Sequence, residues 1–99
     1  MRPPVQGKRV PEAFDSEEPG AFSFDHPGYI SCTCPCGCGS LMNLPIYLEG
    51  EAKPAKSAWR WNGSEDKPTL DPSIRDLSGC RFHGYLKDSV WTFCEDSGK

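Results

Sequence analysis

Six cysteines are the feature that most limits what this chain can fold into. Four of them alternate with other residues in the segment Cys32-Thr-Cys34-Pro-Cys36-Gly-Cys38, and the other two are Cys80 and Cys94. A chain of 99 residues that is 36% apolar, with ten prolines and ten glycines, has material for only a thin core. Domains of this size usually need a metal, disulfides or a partner to be stable. We therefore expect the cysteines to hold the fold together.

The amino-terminal segment predicts that these cysteines are reduced. Its basic residues are not followed by an apolar run, so it does not resemble a secretory signal peptide. No apolar stretch approaches the ~18 residues that cross a bilayer, and we expect a cytoplasmic protein without membrane contact. Clustered cysteines in that compartment are metal ligands more often than disulfides. Bridges within a C-x-C run would also close small, strained rings.

Zinc sites usually take their ligands as two close pairs separated by a longer span. Cys80 and His83 have the spacing of one pair, and Cys34, Cys36 and Cys38 offer the other. A proline and a glycine between those three cysteines supply the rigid and the permissive backbone of a ligand loop. We predict that four of these five residues bind one Zn²⁺ per chain in a closed Cys₃His site. Which two of the three loop cysteines take part stays open.

Alternating apolar residues and frequent turn signals predict a small, mainly β domain of zinc-ribbon or Rieske-like layout, stapled by its metal. This zinc-binding domain is expected over residues 21–99. Residues 1–20 contain four prolines and few apolar side chains, which predicts a flexible, disordered arm. Apolar segments on both sides of residues 87–89 predict a hairpin with a three-residue loop. Pro45 interrupts an apolar strand and is expected to place it at an edge or a bulge.

The ordered motifs of residues 28–93 resemble a known family. They are Cys34-Pro-Cys-Gly-Cys-Gly39, then Pro68-Thr-Leu-Asp-Pro-Ser-Ile74, then Cys80-x-x-His83-Gly. This combination resembles small phage and bacterial proteins catalogued as a domain of unknown function, some of which are labelled ammonia monooxygenase. The resemblance implies a phage or prophage setting, a zinc-type site and no established activity. The monooxygenase label does not carry over, since the chain offers no copper or di-iron ligands at a suitable spacing.

The run Cys80-x-x-His83-Gly also resembles the second ligand loop of Rieske iron–sulfur domains. Those domains pair it with a Cys-x-His loop, so that two histidines bind one iron. This chain has Cys-x-Cys at the partner position. A [2Fe–2S] electron carrier is therefore the alternative interpretation, and a zinc ribbon is preferred.

The leading functional hypothesis is a non-catalytic module that binds a protein partner. A closed ligand set leaves no coordination position for substrate or water. Trp59 and Trp61 alternate along a short strand, and we predict that they bind the partner because exposed aromatic residues anchor interfaces. The competing interpretation is that they belong to the core. The phage resemblance suggests a host protein that is inhibited or redirected.

Two other functions are weighed against this hypothesis. A nucleic-acid-binding zinc ribbon would use the basic residues around the two tryptophans, Lys53, Lys56, Arg60 and Lys67. The formal net charge of −3 argues against it. An enzyme is not expected, because the chain lacks a G-x-S-x-G elbow, a Gly-rich phosphate loop and the deaminase H-x-E and P-C-x-x-C pattern. We accordingly predict no catalytic residues.

Overall fold

The computed structural model describes residues 3–76 and 80–98, and within these ranges it contains ten strands and no α-helix. This confirms the small, mainly β class. The strands are β1 (Val5–Gln6), β2 (Lys8–Arg9), β3 (Ala21–Ser23), β4 (Tyr29–Thr33), β5 (Leu41–Leu48), β6 (Trp59–Trp61), β7 (Leu70–Asp71), β8 (Ile74–Arg75), β9 (His83–Lys87) and β10 (Val90–Phe93). One turn of 3₁₀ helix spans Ala13–Asp15.

The smaller sheet has the strand order β1-β10-β9-β8. Its centre is the antiparallel hairpin of β9 and β10, in which Lys87 pairs with Val90. The turn therefore has two residues rather than the three predicted. Asp88 and Ser89 occupy it with φ of 49° and 68°, and a two-residue turn with both φ positive matches the twist of the strands that it joins.

The larger sheet has the order β2-β3-β4-β5-β6-β7. Strand β5 pairs antiparallel with β4 and parallel with β6, so it lies inside the sheet rather than at an edge. Pro45 is tolerated there because it stands opposite Tyr29 at the end of the β4 ladder, and pairing with β6 begins only at Ile46. The missing N–H of the proline thus falls between two ladders.

Residues 3–20 contain short strands, whereas a disordered arm was expected for residues 1–20, of which the first two lie outside the described residues. Strand β1 pairs with β10, and β2 pairs in parallel with β3. Gly7 is buried and donates its N–H to the Ser89 carbonyl at 2.6 Å, and a Cβ there would approach that oxygen to 2.5 Å. Main-chain hydrogen bonds attach this segment, which a count of apolar side chains does not reveal.

A single apolar cluster draws side chains from both sheets. Fully buried members include Phe22, Ile30, Phe82 and Trp91. Phe82 meets the Trp91 ring edge-to-face at a centroid distance of 5.8 Å, and the Trp91 indole donates to the Gly20 carbonyl at 2.9 Å. Phe82 lies between Cys80 and His83 in sequence, so the core fixes the backbone that carries both residues.

Candidate active site and metal centre

Four cysteine sulfurs come together between the β4–β5 connection and the start of β9. The sulfurs of Cys34, Cys36, Cys38 and Cys80 all lie within 4.8 Å of one another. Pairs among them are separated by 3.0 to 3.4 Å. The group could hold a metal ion. A tetrahedral Zn²⁺ with bonds of about 2.3 Å holds its sulfurs about 3.8 Å apart, so these pairs would separate by less than about 1 Å around an ion.

The backbone of the β4–β5 connection turns back on itself and so brings three of these sulfurs close together. The Cys34 N–H donates to the Ser40 carbonyl at 2.9 Å, which closes the loop at its base. Gly37 and Gly39 take φ of 88° and 86°, a conformation that strains other residues. The Ser40 hydroxyl donates to the Asp76 carboxylate at 2.6 Å and so ties this loop to the end of β8.

The sulfurs hold their protons unequally. Burial raises the pKa of Cys34 and raises that of Cys80 to about 11. Burial also opposes ionisation of Cys36, but hydrogen bonds with Cys80, Cys34 and Cys38 outweigh it and lower the Cys36 pKa to about 7. Without a metal, Cys36 is therefore the most readily ionised of these three sulfurs. A bound cation would displace the remaining protons.

His83 lies outside the four-cysteine group, although the sequence spacing placed it among the five candidate ligands. Its ring belongs to a second group, with Cys94 and Asp96. The reason is strand geometry: Phe82 points into the core, which turns the His83 side chain to the outer face of the smaller sheet. Cys94 is half-buried in this second group.

A serine, a histidine and an aspartate stand in line on that outer face. The Ser73 Oγ lies 3.1 Å from His83 Nε2, and His83 Nδ1 lies 2.6 Å from Asp96 Oδ1. With the proton on Nδ1, the ring donates to the carboxylate and turns the Nε2 lone pair to the hydroxyl. A nucleophile, a base and a group that orients the base, each within hydrogen-bond reach, form the arrangement of a catalytic triad.

Asp96 is held in its ionised form by its two partners. The hydrogen bond from His83, followed by the hydrogen bond from Arg75, lowers the pKa of Asp96 to about 2. The Arg75 guanidinium reaches Asp96 Oδ2 at 2.6 Å and also approaches His83 Nδ1 at 3.0 Å. Each carboxylate oxygen thus accepts from a different donor, and the imidazole receives a fixed tautomer and orientation.

Different parts of the fold place the three residues. Ser73 follows the cis peptide between Asp71 and Pro72, and its carbonyl accepts a hydrogen bond from the Trp59 indole at 3.2 Å. His83 begins β9 and pairs with Arg75 on β8. Asp96 lies in a carboxyl-terminal turn that is fastened to this strand, since the Cys94 N–H donates to the His83 carbonyl at 2.8 Å.

The comparisons with known proteins bear directly on this geometry. Residues 8–94 match the model of a family described as bacterial ubiquitination-like system serine protease (BubE). The chain belongs to this family. No curated protein and no solved structure matches the chain.

The BubE family description corrects the expectation that the chain is not an enzyme. A serine protease needs an activated serine, and Ser73 is hydrogen-bonded to a histidine that is itself bonded to an aspartate. The description names a bacterial system, and it does not support the phage setting that the resemblance implied. It does not mention zinc either.

Sequence reasoning missed Ser73 and Asp96. The chain order Ser–His–Asp differs from the three familiar orders of such triads, and the residues lie in three separate segments, so no single catalytic motif contains them. The available sequence signal was Ser73, directly after Pro72, together with His83-Gly84 later in the chain.

Trp59 and Trp61, the predicted partner-binding residues, are both half-buried against the core. Their indoles donate to backbone carbonyls of this chain, at Ser73 and at Ser64 respectively. Trp61 also packs on Phe24 at a centroid distance of 5.1 Å. Within the described ranges no helix is long and apolar enough to cross a membrane.

Proposed function

We propose that the protein is a serine protease whose nucleophile is Ser73, whose general base is His83 and whose orienting carboxylate is Asp96. The contact that carries the proposal is the 3.1 Å approach of Ser73 Oγ to His83 Nε2, continued at 2.6 Å from Nδ1 to Asp96. Membership of the BubE family supports it, because the family is described as a serine protease.

The proposed reaction is a two-step acyl transfer. His83 Nε2 takes the Ser73 proton as the Oγ forms a bond to the carbonyl carbon of the scissile amide. The amide C–N bond then breaks as His83 returns this proton to the leaving amine, and an ester on Ser73 remains. Water, deprotonated by His83, hydrolyses the ester to a carboxylate and restores the hydroxyl. Asp96 stabilises the imidazolium that forms in each step and is not protonated itself.

The substrate class follows from the family description. A protease of a bacterial ubiquitination-like system would cleave a protein of that system, so the protein partner expected from the sequence becomes its substrate. The outer face of the smaller sheet presents Tyr85 and Thr92 beside His83, paired across β9 and β10. A polypeptide lying on this face would reach the Ser73 hydroxyl. A cytoplasmic location, consistent with six cysteines that form no disulfide, completes the proposal.

The four-cysteine group is proposed to hold one structural Zn²⁺. Four mutually close sulfurs fit a single tetrahedral ion, and they would be four of the five ligands proposed from sequence. A [2Fe–2S] cluster would require two pairs of sulfurs on separate irons, and the close approach of all four disfavours this. The ion would fix Cys80, and through the buried Phe82 it would fix the start of β9, where the His83 base lies.

Covalent labelling tests the assignment of the nucleophile. The metal-loaded chain is treated with a fluorophosphonate, which phosphonylates activated serines, and the modified residue is found by peptide mass spectrometry. We expect a single adduct on Ser73 that is absent from Ser73→Ala. Ser57→Ala serves as the matched control, because Ser57 is exposed and lies in a loop outside the site. An adduct on another serine, or no adduct on the folded chain, would contradict the proposal.

A further inference from the structure

The group of His83, Cys94 and Asp96 offers three different metal-ligating side chains directly beside the nucleophile. Their ligand atoms all lie within 4.8 Å of one another, and none belongs to the four-cysteine group. We propose that this trio is a second zinc site, at which Zn²⁺ binds reversibly and inhibits the protease. The inhibition rests on the function proposed for Ser73 and His83, whereas binding of the metal does not.

The donor set matches what zinc accepts in proteins. Imidazole nitrogen, thiolate sulfur and carboxylate oxygen are its usual ligands, and three protein ligands leave a fourth position for water. His83 and Cys94 are half-buried and Asp96 is exposed, so an ion can enter from solvent without opening the fold. With three ligands and solvent access, this site is expected to bind more weakly than the four-cysteine site and to exchange its ion.

Metal binding and catalysis compete for the same imidazole. In the catalytic tautomer the Nδ1 proton is donated to Asp96 Oδ1 at 2.6 Å, and the Nε2 lone pair faces the Ser73 hydroxyl. An ion bound to Nδ1 and Oδ1 requires the single ring proton to move from Nδ1 to Nε2 by exchange with solvent, and the Cys94 thiol releases its own proton to solvent. Nε2 then carries the proton and cannot accept from Ser73. An ion bound through Nε2 would occupy the lone pair itself.

Arg75 opposes the ion and sets its affinity. The guanidinium lies 2.6 Å from Asp96 Oδ2 and 3.0 Å from His83 Nδ1, so a cation must enter beside a positive charge. The Arg75 side chain is 36% exposed, so it can keep Oδ2 or turn into solvent while the ion takes Oδ1. Replacing this charge, as in Arg75→Gln, is therefore expected to tighten zinc binding.

Native mass spectrometry of the full chain at stepwise increasing free Zn²⁺ tests the site without reference to activity. We expect wild type to bind one zinc tightly and a second zinc at higher free Zn²⁺. Cys94→Ser and Asp96→Asn should keep the first zinc and lose the second. Glu95→Gln is the matched control, because Glu95 is exposed and lies between the two ligands in sequence. A wild-type chain that takes up no second ion, or a Cys94→Ser chain that takes it up equally well, would overturn the proposal.

Fluorophosphonate labelling of Ser73 then tests inhibition, with each variant compared with itself with and without zinc. Wild type is expected to label about tenfold more slowly when free zinc exceeds the dissociation constant about tenfold. Cys94→Ser is expected to show the same rate at both zinc levels. Faster labelling of wild type in zinc would refute the inhibitory role. If Ser73 failed to label at any zinc level, the proposed protease would be refuted, while the ion count would still decide the site.

Discussion

The two sites of this chain are built in opposite ways. The four-cysteine group takes three of its sulfurs from the single β4–β5 connection, and Cys80 completes it. The serine site takes Ser73 from the connection before β8, His83 from the start of β9 and Asp96 from the carboxyl-terminal turn. A site made within one loop leaves a spacing in the sequence, whereas a site assembled from separate segments leaves none. The sequence predicted a metal site from the loop cysteines and Cys80, although as a Cys₃His set that included His83, and the serine site was seen only in the structure.

The serine site also depends on the four-cysteine group, and this dependence runs in one direction. Cys80 and His83 lie on either side of the buried Phe82, so an ion on the sulfurs would fix the backbone that presents the base. The serine site contributes no ligand atom to the four-cysteine group. Disrupting the metal centre should therefore damage both sites, and disrupting the serine site should damage only itself.

Removal of the metal is expected to have the largest effect. Structural zinc contributes about 10–16 kcal/mol to the folding of finger peptides, more than a small core supplies. A chelator strong enough to strip the four-cysteine site should abolish near-UV circular dichroism and fluorophosphonate labelling together. The same treatment of Ser73→Ala should remove its circular dichroism to the same extent. A metal-free chain that kept native near-UV dichroism would show that the fold, and with it the serine site, does not depend on the metal.

Ser73→Ala should remove activity and leave the fold. Loss of the nucleophile of a triad lowers kcat by a factor on the order of 10⁶, while a substitution at a half-exposed position changes the free energy of unfolding by about 0.5 kcal/mol or less. Peptidase activity and urea denaturation of the metal-loaded variant measure the two effects. A variant that still hydrolysed peptide at the wild-type rate would mean that the serine is not the nucleophile.

Particular residues show how far sequence reasoning reaches here. The loop cysteines, the β9–β10 hairpin and the same-side placement of Trp59 and Trp61 follow from local spacing, and the structure contains all three. The pairing of β1 with β10 depends on main-chain hydrogen bonds between distant segments, which carry no side-chain signature. His83 was wrongly placed among the ligands of the cysteine group. Its spacing from Cys80 is typical of a ligand pair, but Phe82 is buried, and strand alternation therefore turns the His83 side chain to the opposite face.

Asp96→Asn should weaken catalysis less than loss of the serine does. The amide cannot hold Nδ1–H as an ionised carboxylate does, and the equivalent change in other triads costs about 10⁴-fold in kcat. Because Asp96 is 51% exposed on its side chain, water can replace part of its role, and we expect a loss of about 10²–10⁴-fold. The rate of fluorophosphonate labelling measures it. An unchanged labelling rate would show that Asp96 does not orient the His83 base.

The pH dependence sharpens the role of this carboxylate. The folded-state pKa of Asp96 is lowered from 3.8 to about 2, so its contribution to stability is present above about pH 4. That contribution is lost as the pH falls from about 4 to about 2. Acid unfolding followed by circular dichroism should therefore begin at a higher pH in Arg75→Gln, which lacks one of the donors that stabilise the charge. Identical acid transitions would show that the ion pair does not form in solution.

Trp59→Phe is expected to have the smallest effect, and Trp61→Phe is its matched control. Both indoles are half-buried and donate to a backbone carbonyl, but only the Trp59 indole donates to the nucleophile's own residue, at the Ser73 carbonyl. Each variant should lose one hydrogen bond, worth about 0.5–1.5 kcal/mol of stability. Labelling of Ser73 should slow several-fold in Trp59→Phe alone, because the loop that carries the hydroxyl loses its anchor. Equal slowing in both variants would mean that the labelling rate follows general stability, and that the Trp59 indole does not position the serine.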